Sequence, residues 1–176
     1  MKLIPKPLPG EYDPYTIMYI KFLPDDGKVL QYLEENAKHI KQFLLALPRE
    51  KWEYSYAPRK WTLKEILLHI IDDERIYAYS ALRFARNDTT ELPGFDQDPY
   101  AVHSKANERS IESLLDEYSA VRRSTIALFQ HLPDDAWLRG GTANNHYVTV
   151  RALIYHLAGH ELHHLNIIKE KYLPTY

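Results

Sequence analysis

The sequence predicts an all-α protein: a four-helix bundle preceded by an extended N-terminal arm. Three observations predict it. Four stretches repeat apolar residues every three or four positions. Each is bounded on at least one side by a capping residue or a proline. No stretch shows a convincing strand alternation. Amphipathic helices of this kind bury their stripes against one another, which gives a bundle. The 176 residues suit one domain spanning 1–176.

Residues 1–23 are rich in Pro and Tyr without a clean period, and read as an arm lying on the body. The first helix is expected from about Asp25 to Leu47, with Leu30, Leu33, Ala37, Ile40, Leu44 and Leu47 as its stripe and Pro48 as its stop. The second runs from about Leu63 to Arg86. Thr62 and Glu65 form a capping box at its start, and Ile66, Ile70, Tyr77, Ala81 and Phe84 continue one face from Leu63. His69 and Asp73 fall on or beside that face. Two prolines and a glycine make Asn87 to Ser104 a long loop of the kind that crosses over or serves a site. The third helix, about Glu108 to His131, has Ile111, Leu114, Leu115, Tyr118, Val121, Leu128 and Leu132 as its stripe, and Pro133 ends it. Gly140, Gly141 and Asn144-Asn145 mark another loop. The fourth helix begins at Val150 behind Thr149 as N-cap and ends near Tyr172, before Pro174. A short internal repeat runs through this layout. Leu47-Pro48 followed by Trp52 matches Leu132-Pro133 followed by Trp137. Trp61-Thr62-Leu63 with Ile66-Leu67 matches Val148-Thr149-Val150 with Leu153-Ile154.

Composition excludes several classes of function. The net charge of −2 gives no electrostatic footprint for nucleic acid or an anionic membrane. The absence of cysteine removes disulfides, thiolate ligands and a cysteine nucleophile. The N-terminus lacks the apolar core of a signal peptide, and no stretch approaches the ~18 apolar residues of a membrane span. A cytoplasmic location is therefore expected. The nine histidines raise the question of a metal, because neutral imidazole is a common ligand.

His160 and His164 carry the sharpest signal. Four residues apart on a helix, their imidazoles lie on one face, about 5–6 Å apart at Cβ, which suits two ligands of one ion. Both occupy positions that the apolar stripe makes interior, where unpaired polar groups are costly. His69 is the best third ligand, because the start of helix two meets the end of helix four if those helices are antiparallel. His156 lies about 12 Å along the axis from His164, too far to share its ion, and reads as a core histidine or one behind the ligands. His163 points roughly 100° away from His164. His39, His103, His131 and His146 read as surface or loop residues. Asp72 and Asp73 could orient a ligand, bind the ion or move a proton, or simply form a solvated acidic turn.

His160-Glu161-Leu162-His163-His164 also matches H-E-x-x-H, the zinc-protease helix in which Glu161 would activate water. That reading lacks a downstream third ligand and a substrate-binding strand.

The segment from Trp61 to Asp72 (WTLKEILLHIID) resembles helix two of DinB-like proteins, which share a Trp-Thr start followed by a histidine and an acidic residue. Tyr155 to Glu170 (YHLAGHELHHLNIIKE) resembles their last helix, and Gly10-Glu11-Tyr12 is similar to an early segment of some members. The resemblance implies an up-down-down-up four-helix bundle, often dimeric, with a three-histidine site for one zinc or nickel ion at His69, His160 and His164. It also implies small-molecule chemistry. Relatives include thiol-dependent S-transferases, a mycothiol-dependent isomerase and proteins classed as metal-dependent hydrolases. The family's name, from a DNA-damage-inducible gene, carries no evidence of DNA binding.

Three neutral imidazoles leave an ion dipositive with an open position, the catalytic arrangement. The expected function is thus a metal-dependent enzyme, either a transferase in which the ion stabilises an external low-molecular-weight thiol, or a hydrolase in which it activates water with Asp73 or Glu161 as base. The rival is a non-catalytic helical module with a structural metal or none, distinguished by a closed fourth protein ligand.

Overall fold

The computed structural model describes residues 2–173. Six α-helices and one hairpin follow in order: α1 (Ile17–Ile20), α2 (Val29–Leu45), α3 (Leu63–Ala85), α4 (Gln97–Ser104), α5 (Ile111–Gln130), β1 (Gly140–Ala143), β2 (His146–Thr149) and α6 (Val150–Ile167). The four long helices α2, α3, α5 and α6 are the four that the periodicity predicts. Pro174, the expected stop of the last helix, lies outside the described residues. Before it, α6 loosens into a π-helical turn at Ile168–Tyr172.

Side-chain pairs across the bundle fix its topology. Leu33 and Lys41 of α2 meet Arg122 and Asp116 of α5, so those helices run antiparallel. Lys64 bonds the carbonyl of Asn107, just before α5, and Glu74 of α3 meets Arg122, so α3 and α5 run parallel. His69, near the start of α3, meets His160 and His164 in the second half of α6, so α3 and α6 are antiparallel. The order is up, down, down, up. α3 and α6 sit side by side in the middle, and most of α6 from Val150 to Glu161 is buried.

Capping sets the entry of both central helices. The Thr62 hydroxyl accepts from the Glu65 N–H, and the Glu65 carboxylate accepts from the Thr62 N–H. The Thr149 hydroxyl accepts from the Ala152 N–H. Short 3-10 turns follow Pro48 and Pro133, and each leads to or contains a buried tryptophan, Trp52 or Trp137. The two halves named by the sequence repeat therefore share their turns and caps as well as their letters.

Three expectations need correction. α2 starts at Val29, because Gly27 takes a positive φ of 74° and Asp26 accepts from the Lys28 N–H, a turn that stops the helix from extending back to Asp25. The expected loop from Asn87 to Ser104 contains α4. The Asp96 side chain caps it, and Pro99 falls in its first turn, where a missing N–H costs nothing. Ala101 is the one buried side chain of α4, so no stripe announced it. The loop around Gly140 is a hairpin turned by Asn144 and Asn145, both at positive φ as a type I′ turn requires.

The arm is extended only in its first half. The Ile4 N–H donates to the Gly27 carbonyl (2.8 Å) and the Tyr155 hydroxyl donates to the Ile4 carbonyl (2.8 Å). Glu11 is held by Arg151 and by the Thr149 hydroxyl. A 3-10 turn at Pro14–Thr16 then leads into α1, which lies on α6. Gly159 permits that approach: a Cβ there would meet the Tyr19 carbonyl oxygen at 2.3 Å.

A buried ionic knot ties the four long helices together. Arg122 of α5 is 2% exposed. Its guanidinium donates to Glu74 of α3 (2.9 Å), to Glu161 of α6 (3.1 Å) and to the Leu33 carbonyl of α2 (2.8 Å). The Tyr118 hydroxyl donates to Glu161 (2.9 Å). Burial pushes the Glu161 carboxyl up, and Arg122 opposes it. Apolar clusters flank the knot, one around Phe84, Phe129 and Tyr155, the other around Leu67, Leu115 and Ile168.

Candidate metal centre

His69 comes from the second turn of α3, and His160 and His164 from successive turns of α6. The helix pairing turns all three toward one point. Nε2 of His160 lies 3.1 Å from Nε2 of His69 and 2.9 Å from Nε2 of His164. His69 and His160 are buried, and His164 is half-buried. Burial pushes His160 and His164 well below the ordinary histidine range, and the neighbouring imidazoles add to the effect. Burial also lowers His69, against an opposing pull from Asp73. The three rings are therefore neutral at physiological pH.

Three neutral imidazoles aiming the same nitrogen at a common centre cannot satisfy one another. A nitrogen that carries the proton donates to one neighbour, and the remaining lone pairs face each other. A cation resolves this. Ligand nitrogens at about 2.0–2.1 Å from an ion lie roughly 2.9–3.4 Å from one another, close to the spacing found here. The residues fit a divalent ion.

The same ring of His160 has a second neighbour on its other edge. Its Nδ1 lies 3.2 Å from Oδ2 of Asp73, and that oxygen lies 3.4 Å from Nε2 of His156. Asp73 and His156 are both buried. Tyr77 stacks face to face on His156 at 3.8 Å, and Tyr19 sets its edge against both His156 and His160. Asp73, His156 and His160 form one wall of a cavity of about 290 Å³ that opens between α1, α3 and the hairpin. Asp13, Tyr15 and Phe95 line its outer part.

The structure brings His69, His160 and His164 together and places Asp73 behind His160. Glu161 is elsewhere: its carboxylate points into the ionic knot, engaged by Arg122 and Tyr118. Asp72 faces Arg75 at 3.6 Å near the surface. His163 is half-buried beside Tyr19, outside the group. His39, His103, His131 and His146 are exposed, and His146 sits 3.4 Å from Asp13 at the cavity mouth. Tyr19, Glu74 and Arg122 were not singled out by spacing and Tyr77 was read only as part of the apolar stripe, because an isolated tyrosine or charge on a helix carries no signal of what it will face.

No curated protein sequence matches the chain. Among solved structures, YfiT from Bacillus subtilis, described as a probable metal-dependent hydrolase with an unusual four-helix bundle topology, superposes with a TM-score of 0.73 at 18% identity, over 81% of this chain and 83% of that one. The sequence profile of the DinB superfamily matches residues 32–168, a span that takes in α3, α5 and all three histidines of the centre. The chain belongs to the DinB superfamily.

Proposed function

We propose that the protein is a metal-dependent hydrolase of small molecules, with one divalent ion of the zinc or nickel class held by Nε2 of His69, His160 and His164. The observation that carries this reading is the convergence of three neutral imidazoles, two buried and one half-buried, beside a cavity whose wall includes one of them. Three nitrogen ligands leave a position open, the arrangement of catalytic rather than structural sites. When bound, such an ion supplies Lewis acidity and lowers the pKa of water to about 7.

The chain's own residues do the rest. Asp73 lies 3.2 Å from Nδ1 of His160; with Nε2 ligating an ion, the single proton of that neutral ring would sit on Nδ1, facing the carboxylate. Oδ2 of Asp73 lies across the His160 ring from the ligating nitrogen and borders the cavity, so Asp73 acts through the orientation of His160. Trp61 packs on His69 at 4.8 Å and holds that ring in place. Glu161 is committed to Arg122 and takes no part in this scheme. Thiol transfer would use the same ion. However, no lysine or arginine lines the cavity to receive an anionic thiol, and hydrolysis of a neutral or cationic substrate suits it better.

The test is a screen of tag-free, zinc- or nickel-loaded protein against small esters and amides, run beside thiol-plus-electrophile pairs. The expected result is hydrolysis that a chelator abolishes, that His164→Ala loses, and that Asp73→Asn lowers by roughly 10–100-fold. Turnover confined to the thiol pairs, or none at all, would contradict the proposal.

A further inference from the structure

The repeat in the sequence has a consequence for the site. Each central helix starts at a capping threonine, Thr62 or Thr149. His69 and His156 each lie seven residues beyond their cap, Asp73 and His160 eleven, and Tyr77 and His164 fifteen. Since α3 and α6 run antiparallel, the approximate twofold between them maps His69, His160 and His164 onto His156, Asp73 and Tyr77. The three-histidine centre has a counterpart on the other side of His160.

That counterpart retains a ligand-bearing character. Oδ2 of Asp73 and both ring nitrogens of His156 are buried with no hydrogen-bond partner. Both side chains are over nine-tenths buried, so water does not cover them at low cost. They border the 290 Å³ cavity. Tyr77, the equivalent of His164, lays its ring face on His156. Nδ1 of His160 takes the third place. The separations of 3.2 Å and 3.4 Å from Asp73 Oδ2 match the edge of a zinc polyhedron, about 3.3 Å for bonds of 2.0–2.1 Å.

We infer that Asp73 Oδ2, His156 Nε2 and His160 Nδ1 form a second site for a divalent cation of the zinc class, joined to the three-histidine centre through the shared imidazole of His160. With one ion, His160 keeps its Nδ1 proton toward Asp73. To serve the second site as well, His160 would have to give up its Nδ1 proton to solvent and act as an imidazolate shared by the two sites. Asp73 changes role with occupancy, from partner of His160 to ligand. The cavity supplies the open coordination position. The inference goes beyond the proposed hydrolase activity, because Asp73 and His156 remain in place without His69 and His164.

The test is zinc per chain, measured by element-resolved mass spectrometry on metal-stripped, tag-free protein after loading with a small excess of zinc and gel filtration. Wild type is expected to hold two ions. His156→Asn and Asp73→Asn are each expected to hold one. The double variant His69→Asn/His164→Asn, which removes the first centre, is also expected to hold one. Circular dichroism melts confirm that each variant is folded, and an anomalous difference map of zinc-loaded wild-type crystals gives an independent reading, with a peak between Asp73 Oδ2 and His156 Nε2. One ion per chain in wild type, two that persist in both single variants, or none in the folded double variant would overturn the second site. Failure of the hydrolase reading alone would leave these counts unchanged.

Discussion

At the scale of single residues, the centre is built from groups that are uncomfortable without a ligand. His160 and His164 are held neutral by burial, and this has a consequence for the metal-free protein. An unfolded histidine titrates near 6.5. In the folded chain these two titrate lower, so between those values the unfolded state binds more protons. Stability is complete above about pH 6.5 and is lost as the pH falls below it, by roughly 1.4 kcal/mol per pH unit for each imidazole fully suppressed. Thermal melts of metal-stripped protein should therefore fall from pH 7 to pH 5, and His164→Asn should flatten the profile. A wild-type profile already flat over that range would show that burial does not hold these rings neutral. Arg122 supplies the opposite case, a charge that is fully answered. Replacing it with Met strands Glu74 and Glu161 in the core and should cost about 3–5 kcal/mol in urea denaturation. A loss under 1 kcal/mol would mean that the carboxylates simply protonate or find water.

The three histidines were legible because helix spacing and the apolar stripe together specify both the face and its burial. Arg122 and Glu74 were not. A lone arginine inside α5 looks like any solvated charge until the tertiary fold brings two carboxylates to it. His156 was legible only as an interior residue. The repeat offset that pairs it with His69 becomes meaningful once α3 and α6 are seen to lie antiparallel.

At the scale of elements, the long helices were readable because each combined a stripe with a cap or a stopping proline. Thr62 illustrates it: the capping box visible in four letters is the one formed in space, and Thr62→Ala should cost about 1 kcal/mol. A change within a few tenths would mean that packing alone fixes the start of α3. α4 escaped because it buries almost nothing and its proline sits where helices tolerate one. The hairpin escaped because two short strands with two glycines carry no alternation to read. α1 escaped because four residues are too few for a period, yet it carries Tyr19 to the centre. The contact that seats it is backbone against Gly159. Gly159→Ala forces the Tyr19 carbonyl away and should destabilise the fold by about 1–3 kcal/mol while weakening metal retention. Wild-type stability and metal content in that variant would show that α1 moves aside freely.

At the scale of the whole molecule, the up-down-down-up order places α3 and α6, the two halves' second helices, side by side and antiparallel. Their matching faces bring histidines and an aspartate from both halves to the same level. α1 and the hairpin cap the remaining side and leave a cavity of about 290 Å³. No described helix is long and apolar enough to cross a membrane. The topology could not be read from periodicity alone, since four stripes allow several orders. The resemblance to the DinB family supplied the order, and the Lys41–Asp116 and Arg122–Glu74 pairs show it.

Whether His69, His160 and His164 hold an ion can be read from anomalous diffraction of crystals of zinc-loaded, tag-free protein. A zinc-edge peak is expected within about 2.0–2.1 Å of all three Nε2 atoms. A zinc-saturated crystal with no anomalous density among them would contradict it and leave the three rings as packing residues of a metal-free bundle.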